Sequence, residues 1–302
     1  MKALLIGYGS IGKRHDEVLS NFSEIASIDI VTKQAIEGRT TYKSLQEIEN
    51  ISQYSYFIIA SETIKHYQQL AYLDMHLKNK TIFCEKPLFA SKRALEIVHN
   101  EVFVGYVLRF HPLLVKLKTL LQNETVINVN IKCGQYLPAW RPERDYRESY
   151  SAKKEEGGGV LLDLSHEIDY LQWLFGKMKE IKSYQVKISD LEIDSDDITL
   201  LIGKTDKNIM VSLSLDYISK ISHRRVHVDT IESSYALDFI TNRLIKKDRN
   251  GVEELYSIAN LERNFMFEKM HQSILTDKKN ICSFNEGLDV MDTIATIQGE
   301  NR

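Results

Sequence analysis

The chain has 302 residues, 43% hydrophobic and 27% charged, with Lys+Arg 39 against Asp+Glu 42 and a formal net charge of −3. That length suits two domains, because a single core stops growing at roughly 250–300 residues. A charge so nearly balanced gives no basic field for nucleic acid or an anionic bilayer, and no apolar run approaches a membrane span. Cys84, Cys133 and Cys282 are widely spaced and fit no zinc or CxxC pattern, no metal site is expected, and a strand that starts directly after Met1 leaves no room for a signal peptide. These features point to a reducing cytoplasm.

Taken in order, Lys2–Ile6 is an apolar run fit for a buried parallel strand, and it meets Gly7-Tyr8-Gly9-Ser10-Ile11-Gly12. Gly-x-Gly-x-x-Gly after a strand, opening a helix expected over 11–20, is the pattern of a dinucleotide site. Gly7 allows the tight turn, Gly9 lets backbone approach a pyrophosphate, and Gly12 lets helix and strand pack closely. The helix start offers unpaired N–H groups and a positive dipole end to that anion, so Ser10 and Ile11 belong to the cradle. A second strand is expected over 25–31. Asp29 on it could pair with a ribose hydroxyl and favour NAD. However, Ile30 and Val31 continue the apolar run, so the tip is placed at Thr32-Lys33, a hydroxyl followed by a cation, which favours NADP with NAD as the alternative.

Strands 56–60, 81–84 and 102–104 alternate with helices 62–77 and 90–99, which implies βαβ units and ligands beyond the carboxyl ends of the strands. After Pro112 the pattern changes. Strand-like runs follow one another over 125–133, 181–188, 198–203, 208–217, 224–230 and 235–240, and several alternate in polarity. A mostly antiparallel sheet with one covered face is expected. Helices are expected near 161–175, 261–278 and 285–298, with Phe267, Met270 and Ile274 as a core stripe on the second. The boundary falls near 105–112, giving domains 1–110 and 111–302.

Two stretches carry chemistry. Lys86, in Glu85-Lys86-Pro87 just beyond strand 81–84, can hydrogen-bond a reacting hydroxyl or carbonyl oxygen; the alternative is a surface lysine paired with its neighbour. Residues 157–169 read Gly-Gly-Gly-Val-Leu-Leu-Asp-Leu-Ser-His-Glu-Ile-Asp. Asp163 and His166 lie three apart and share a helix face, as a general base with an orienting carboxylate would. A capping Asp beside a satisfied His is the plainer reading. His223 and His227 lie four apart on a strand and suggest no ligand set.

Together these motifs resemble the glucose–fructose oxidoreductase / inositol dehydrogenase / rhizopine-catabolism (Gfo/Idh/MocA) family of nicotinamide-dependent sugar oxidoreductases, over nearly the whole chain. Ala60-Ser61-Glu62-Thr63 with His66 resembles the family's Ala-Thr-Pro-x-x-x-His loop, Glu85-Lys86-Pro87 its signature, Gly105–Pro112 its interdomain crossing, and 157–169 its catalytic helix. The family usually spaces the Asp and His by four, and here the spacing is three. The resemblance implies a Rossmann doubly wound domain followed by an α+β domain with an open antiparallel sheet. It implies Lys86, Asp163 and His166 as the catalytic set. It implies a coenzyme held by the Gly turn, Thr32, Lys33, Ala60, Ser61, Thr63, His66, Glu85 and Lys86. A homodimer or homotetramer through the C-terminal sheet follows as well, with a small-molecule sugar as the partner. The loop 135–150 holds two prolines, a tryptophan, three arginines and three tyrosines, and it resembles the loop of members linked to bacterial surface-polysaccharide sugars. Its Arg141, Arg144, Tyr146 and Tyr150, with Arg109 of the crossing and His166, are the expected contacts to a phosphorylated or nucleotide-linked sugar. A structural loop salt-bridged to Glu143, Asp145 and Glu148 is the alternative. Two other functions stay open: glycoside cleavage through transient oxidation, and a dinucleotide-binding regulator without turnover.

Overall fold

The computed structural model describes residues 1–299. The chain divides into two compact units, Met1–Phe110 with Glu262–Leu288, and His111–Leu261 with residues 289–299. Residues 262–288 thus belong with the first unit, whereas the expected partition put them in the second.

The first unit is built on β1 (Lys2–Ile6), α1 (Ser10–Leu19), β2 (Ser27–Val31), β3 (Thr41–Tyr42), β4 (Tyr56–Ile59), α2 (Thr63–His76), β5 (Thr81–Cys84) and β6 (Glu101–Val104). The strands pair in parallel in the order β6-β5-β4-β1-β2-β3. Tyr56, Phe57, Ile58 and Ile59 are all buried, as a strand covered on both faces requires. Chain order reverses at β1, with β2 on one side and β4 on the other, so the crevice for a ligand opens at its carboxyl end. Ile6, Val31 and Ile59 lie level there.

The helix expected over 90–99 is absent, and the segment is irregular. Asp74 of α2 explains it. Its carboxylate accepts the backbone N–H groups of Val98 and His99 at 3.0 and 3.1 Å and the Asn100 amide at 2.9 Å. A tertiary anchor overrides a local preference for helix worth only tenths of a kcal/mol per residue, of order ~0.5.

The second unit starts with α3 (Pro112–Leu120), a helix absent from the sequence reading, and β7 (Val126–Gly134). Next come α4 (Val160–Asp163), α5 (His166–Phe175), β8 (Met178–Val186), β9 (Ile198–Thr205), β10 (Met210–Asp216), β11 (His223–Thr230), β12 (Ser233–Asp238), β13 (Arg243–Asp248) and β14 (Glu253–Ser257). The last two strands were also unexpected. The eight strands order as β14-β13-β12-β11-β7-β10-β9-β8, antiparallel except for the parallel pair of β7 and β10. One face buries Val129, Ile131, Leu213, Leu215, Val226 and Val228, and α4 and α5 pack on this sheet. The opposite face leaves Tyr184, Leu200, Ile202 and Met210 exposed.

The closing segments are α6 (Phe265–Leu275), β15 (Cys282–Ser283) and α7 (Phe284–Gln298). On α6, Phe267, Met270 and Ile274 are buried in the first unit's core, as the stripe suggested. The short β15 adds an antiparallel edge strand beside β6. Together the elements form a mixed α/β fold, with a parallel-sheet unit and a unit built on a mostly antiparallel sheet. No helix among the described residues is long and apolar enough to cross a membrane.

Candidate functional site

The Gly-rich turn follows β1, and its three glycines differ in what surrounds them. Gly7 has φ +98°, and a Cβ there would lie 2.6 Å from the Ala60 carbonyl oxygen. A Cβ on Gly12 would lie 2.3 Å from the Gly7 carbonyl oxygen, so the helix could not sit this close to the turn with any side chain. Gly9 precedes α1 as its N-cap, and a Cβ on it would meet nothing within 4 Å. Open space in front of a helix start, with backbone N–H groups directed into it, fits a dinucleotide pyrophosphate. Ser10 is exposed beside it and Ile11 is half-buried. Ala60, Ser61 and Thr63 follow β4 alongside, since the Gly7 Cβ position also lies 2.7 Å from Ser61 backbone.

β2 ends at Val31, whose carbonyl accepts the Gly7 N–H at 2.9 Å, so Thr32 and the exposed Lys33 sit at the strand tip. Asp29 is not at that tip. Its carboxylate accepts the Tyr54 hydroxyl at 2.5 Å, and burial together with this contact pushes the Tyr54 phenol well above its ordinary range. His66 and Glu85, both expected at the coenzyme, are committed inside the unit. The His66 ring nitrogens lie within 3.1–3.3 Å of the Pro87, Leu88 and Ser61 carbonyls, where the ring ties the loop after β4 to the loop after β5. Burial holds its pKa below the ordinary histidine range although those carbonyls favour the charged form. Glu85 is bonded through one oxygen to His15 at 2.8 Å and through the other to the Lys86 N–H at 3.0 Å. Lys86, half-buried, follows β5 at the carboxyl edge of the sheet, where its peptide bond to Pro87 is cis.

Arg109, expected as a substrate contact, is committed inside the first unit. Its side chain is only 2% exposed and donates to Glu286 Oε1 at 2.8 Å and to the Ile281 carbonyl at 3.3 Å. Burial pushes the Glu286 carboxyl up, yet Arg109 and the Ser283 N–H outweigh it and hold the group below its usual range.

In the second unit Asp163 and His166 line one cleft of about 260 Å³ with Gln135, Trp140, His223 and Arg224. They do not share one helix. α4 ends at Asp163 and α5 begins at His166, with Leu164 and Ser165 forming the break. Gly158 seats this turn against the unit's own backbone, and Gly159 against the Asp196 side chain. A Cβ on Gly158 would lie 2.1 Å from the Tyr150 carbonyl oxygen, and the Leu161 N–H donates to Asp196 at 3.0 Å. Asp163 accepts the Tyr217 hydroxyl at 2.5 Å; burial and this carboxylate hold the Tyr217 phenol well above its ordinary range. Arg224 makes a paired contact, 2.6 and 2.9 Å, to the fully buried Glu167.

Trp140 Nε1 and His223 Nε2, both in the cleft, lack hydrogen-bond partners among the described residues. His223 Nδ1 lies 3.1 Å from the Ile221 carbonyl and donates to it, so in the neutral ring Nε2 is an acceptor; it lies 3.8 Å from Asp216. Sequence reading passed over Arg224 and Tyr217, and it weighed His223 only as a metal ligand. Period-two alternation does mark His223 and Arg225 as one face of a strand and Arg224 as the other, but not which face meets a cleft. Of the loop arginines and tyrosines, Arg141 and Arg144 are exposed, and Tyr146 accepts the Glu192 N–H at 3.1 Å. Tyr150 is 42% exposed, and desolvation of its hydroxyl together with the Asp163 carboxylate raises its pKa above the ordinary range. Arg147 pairs with Asp145 at 2.6 Å and Glu192 at 2.7 Å, so part of this loop is held by its own salt bridges.

The class of fold is supported by comparison. Residues 116–233 match the model of the GFO/IDH/MocA C-terminal domain. A solved structure of an NAD binding oxidoreductase from Klebsiella pneumoniae superposes with a TM-score of 0.82 at 16% identity, covering 100% of this chain and 98% of that one. The WlbA dehydrogenase from Bordetella pertussis, solved with NADH and UDP-GlcNAcA, gives 0.77 at 14% identity over 99% and 94% of the two chains. Among curated proteins, an uncharacterised oxidoreductase of Streptococcus pneumoniae is 29% identical over 150 residues, 47% of this chain and 40% of that protein. The matched stretches span less than half the length of the curated relatives.

Proposed function

We propose that the chain is a nicotinamide-dependent oxidoreductase that moves hydride to or from a ring hydroxyl or keto carbon of a modified sugar. A sugar phosphate or nucleotide sugar of surface-polysaccharide synthesis is the substrate class. The observation that carries the sugar is the cleft beside His166. A buried indole N–H next to an imidazole acceptor suits a group that both accepts and donates, as a sugar hydroxyl does. The family match over 116–233 and the nucleotide sugar bound by WlbA support the same reading.

The residues present fit the coenzyme, because Gly9 faces open space where Gly7 and Gly12 are closely packed. Gly7, Gly9, Ser10, Ile11 and Gly12 would hold its pyrophosphate, and Ala60, Ser61 and Thr63 would line its course. The strand tip at Thr32-Lys33 supports NADP through a cation facing the 2′-phosphate, with NAD as the alternative. When bound, the nicotinamide supplies the hydride donor or acceptor. Losing hydride from a carbinol requires its proton to leave as well. His166 takes that proton, Lys86 hydrogen-bonds the reacting oxygen, and Asp163, which accepts the Tyr217 hydroxyl, is the orienting group. The exposed apolar face of the second sheet supports a homodimer or homotetramer.

The test is a panel of sugar phosphates and nucleotide sugars with both coenzymes in both directions, read by the absorbance of reduced nicotinamide. At least one should turn over. Tight coenzyme binding with no redox change for any sugar would favour a regulator. Release of an aglycone without net coenzyme reduction would favour glycoside cleavage.

A further inference from the structure

Four buried polar groups of the first unit join into one line from the sheet interior to the loop that carries Lys86. The Tyr56 hydroxyl lies 2.7 Å from His271 Nδ1, His271 Nε2 lies 2.8 Å from His15 Nδ1, and His15 Nε2 lies 2.8 Å from Glu85 Oε1. Glu85 Oε2 then takes the Lys86 N–H at 3.0 Å. The groups come from β4, α6, α1 and the turn after β5. His15 and His271 have no exposed surface, and Phe83 packs against both rings while Phe267 packs edge-on to His15.

Proton counting fixes the direction. Among the described residues the Tyr56 hydroxyl has His271 as its hydrogen-bond partner, so its proton must point at Nδ1. That makes Nδ1 an acceptor. Burial holds His271 well below the ordinary histidine range, so its one proton sits on Nε2 and points at His15 Nδ1. His15 Nδ1 is therefore an acceptor too, and its proton lies on Nε2, facing a carboxylate that can only accept. Every group is satisfied in this arrangement and in no other with an anionic Glu85.

We propose that Tyr56, His271 and His15 form a hydrogen-bond wire with all protons directed at the Glu85 carboxylate, and that this wire positions Lys86 for its task. The second half rests on the reading of Lys86 as a site residue. Tyr56, His15, Glu85 and His271 are positioning residues, since each acts through the next. Glu85 has two oxygens holding two donors, one from the wire and one from the Lys86 backbone. A glutamine there can accept with only one atom. Its oxygen keeps the Lys86 N–H, and its amide must donate to His15 Nε2. The proton on His15 then moves to Nδ1 and that on His271 to Nδ1 as well, which makes the Tyr56 hydroxyl an acceptor and leaves its own proton unpaired, so the reversal itself costs one buried donor.

The test is ¹⁵N-histidine NMR of the whole protein, which reads each ring's tautomer, with Tyr56→Phe used to assign the His271 signals by the shift of Nδ1. Both rings should carry the proton on Nε2 in the parent, and both should carry it on Nδ1 in Glu85→Gln. A parent with either ring protonated on Nδ1, or doubly protonated, overturns the wire. The same Glu85→Gln protein should lose turnover by between about tenfold and a hundredfold, the cost of a slightly misplaced group, with coenzyme affinity unchanged. Reversed tautomers with undiminished turnover would overturn the positioning half. If no sugar is ever turned over, the proposed activity fails by itself. The tautomers still decide the wire, and acylation of Lys86, read by mass spectrometry, then decides positioning: a changed rate in Glu85→Gln supports it, and an unchanged rate overturns it.

Discussion

Replacing Gly9 and Gly12 separately by alanine should divide coenzyme binding from folding. The Gly9 Cβ position is free of contacts within 4 Å, and its φ of −75° suits any residue. Two small terms act on the folded chain without ligand. Alanine is a poorer N-cap than glycine by up to about 1 kcal/mol. Fewer unfolded conformations return about 0.4–1 kcal/mol. Stability should stay within about 1 kcal/mol of the parent. The new methyl, however, occupies the place where a pyrophosphate meets backbone N–H groups. Losing one charge-assisted hydrogen bond of about 1.5–3 kcal/mol weakens coenzyme binding by roughly ten- to a hundredfold. Gly12→Ala is the opposite case, because its Cβ would lie 2.3 Å from a backbone oxygen that cannot rotate away. Overpacking at the upper end of the usual range costs about 3 kcal/mol. Better helix propensity returns about 1 kcal/mol. Urea unfolding without coenzyme gives the stabilities, and calorimetric titration gives the affinities. A stable Gly9→Ala that binds coenzyme as the parent does would refute the placement of the pyrophosphate at this turn.

Removing the proton-handling groups, His166→Ala or Lys86→Ala, should lower turnover by about 10²–10⁴-fold with coenzyme affinity near the parent's. In the alcohol-oxidising direction the acidic limb of the rate profile should vanish in His166→Ala; a mutant that keeps it removes His166 from the mechanism. Lys33→Glu should weaken NADP(H) strongly and NAD(H) little, and equal losses would show that the strand tip does not choose the coenzyme. Glu286→Ala leaves Arg109 buried without its carboxylate and should cost about 2–3 kcal/mol in urea unfolding, less than the ~3–5 of a fully buried pair because the Glu286 side chain is 41% exposed. The Glu286 pKa is lower in the fold than in the unfolded chain, so the pair's stabilisation is complete above the unfolded value of about 4.3. It is lost as pH falls through the folded value, and a Glu286→Gln protein should lack that part of the acid dependence.

The parts of the fold legible in the sequence were those whose cause is local. The β1 turn, the end of β2 and the apolar stripe of α6 each follow from neighbouring residues, and the structure has them there. Residues 90–99 contain good helix formers, but the decision belongs to Asp74 some twenty positions earlier, through two backbone N–H groups. Strands β13 and β14 went unseen because they form the edge of the second sheet, where Lys246, Lys247, Glu253 and Glu254 interrupt the alternation that marks a half-buried strand. The sequence spacing of Asp163 and His166 suggested a shared helix face, yet the chain brings them to one cleft by breaking the helix between them.

The buried residues of the site illustrate a stricter limit. Arg109 and Glu286 are paired across 177 positions, and His15 and His271 across 256. No spacing rule connects such residues, since the sheet alone makes them neighbours. A histidine in a helix whose other residues form a core stripe reads as one more core group, and His271 does sit among Phe83, Tyr56 and His15 as such a group would. What separates it from packing is that both ring nitrogens have partners and a fixed order of protons, so its replacement by an apolar residue of similar size would leave the Tyr56 hydroxyl and His15 Nδ1 without partners. An unsatisfied buried polar group costs about 1–3 kcal/mol. The chain therefore holds a line of polar groups where an apolar core would be simpler, and that line ends at the residue before Lys86.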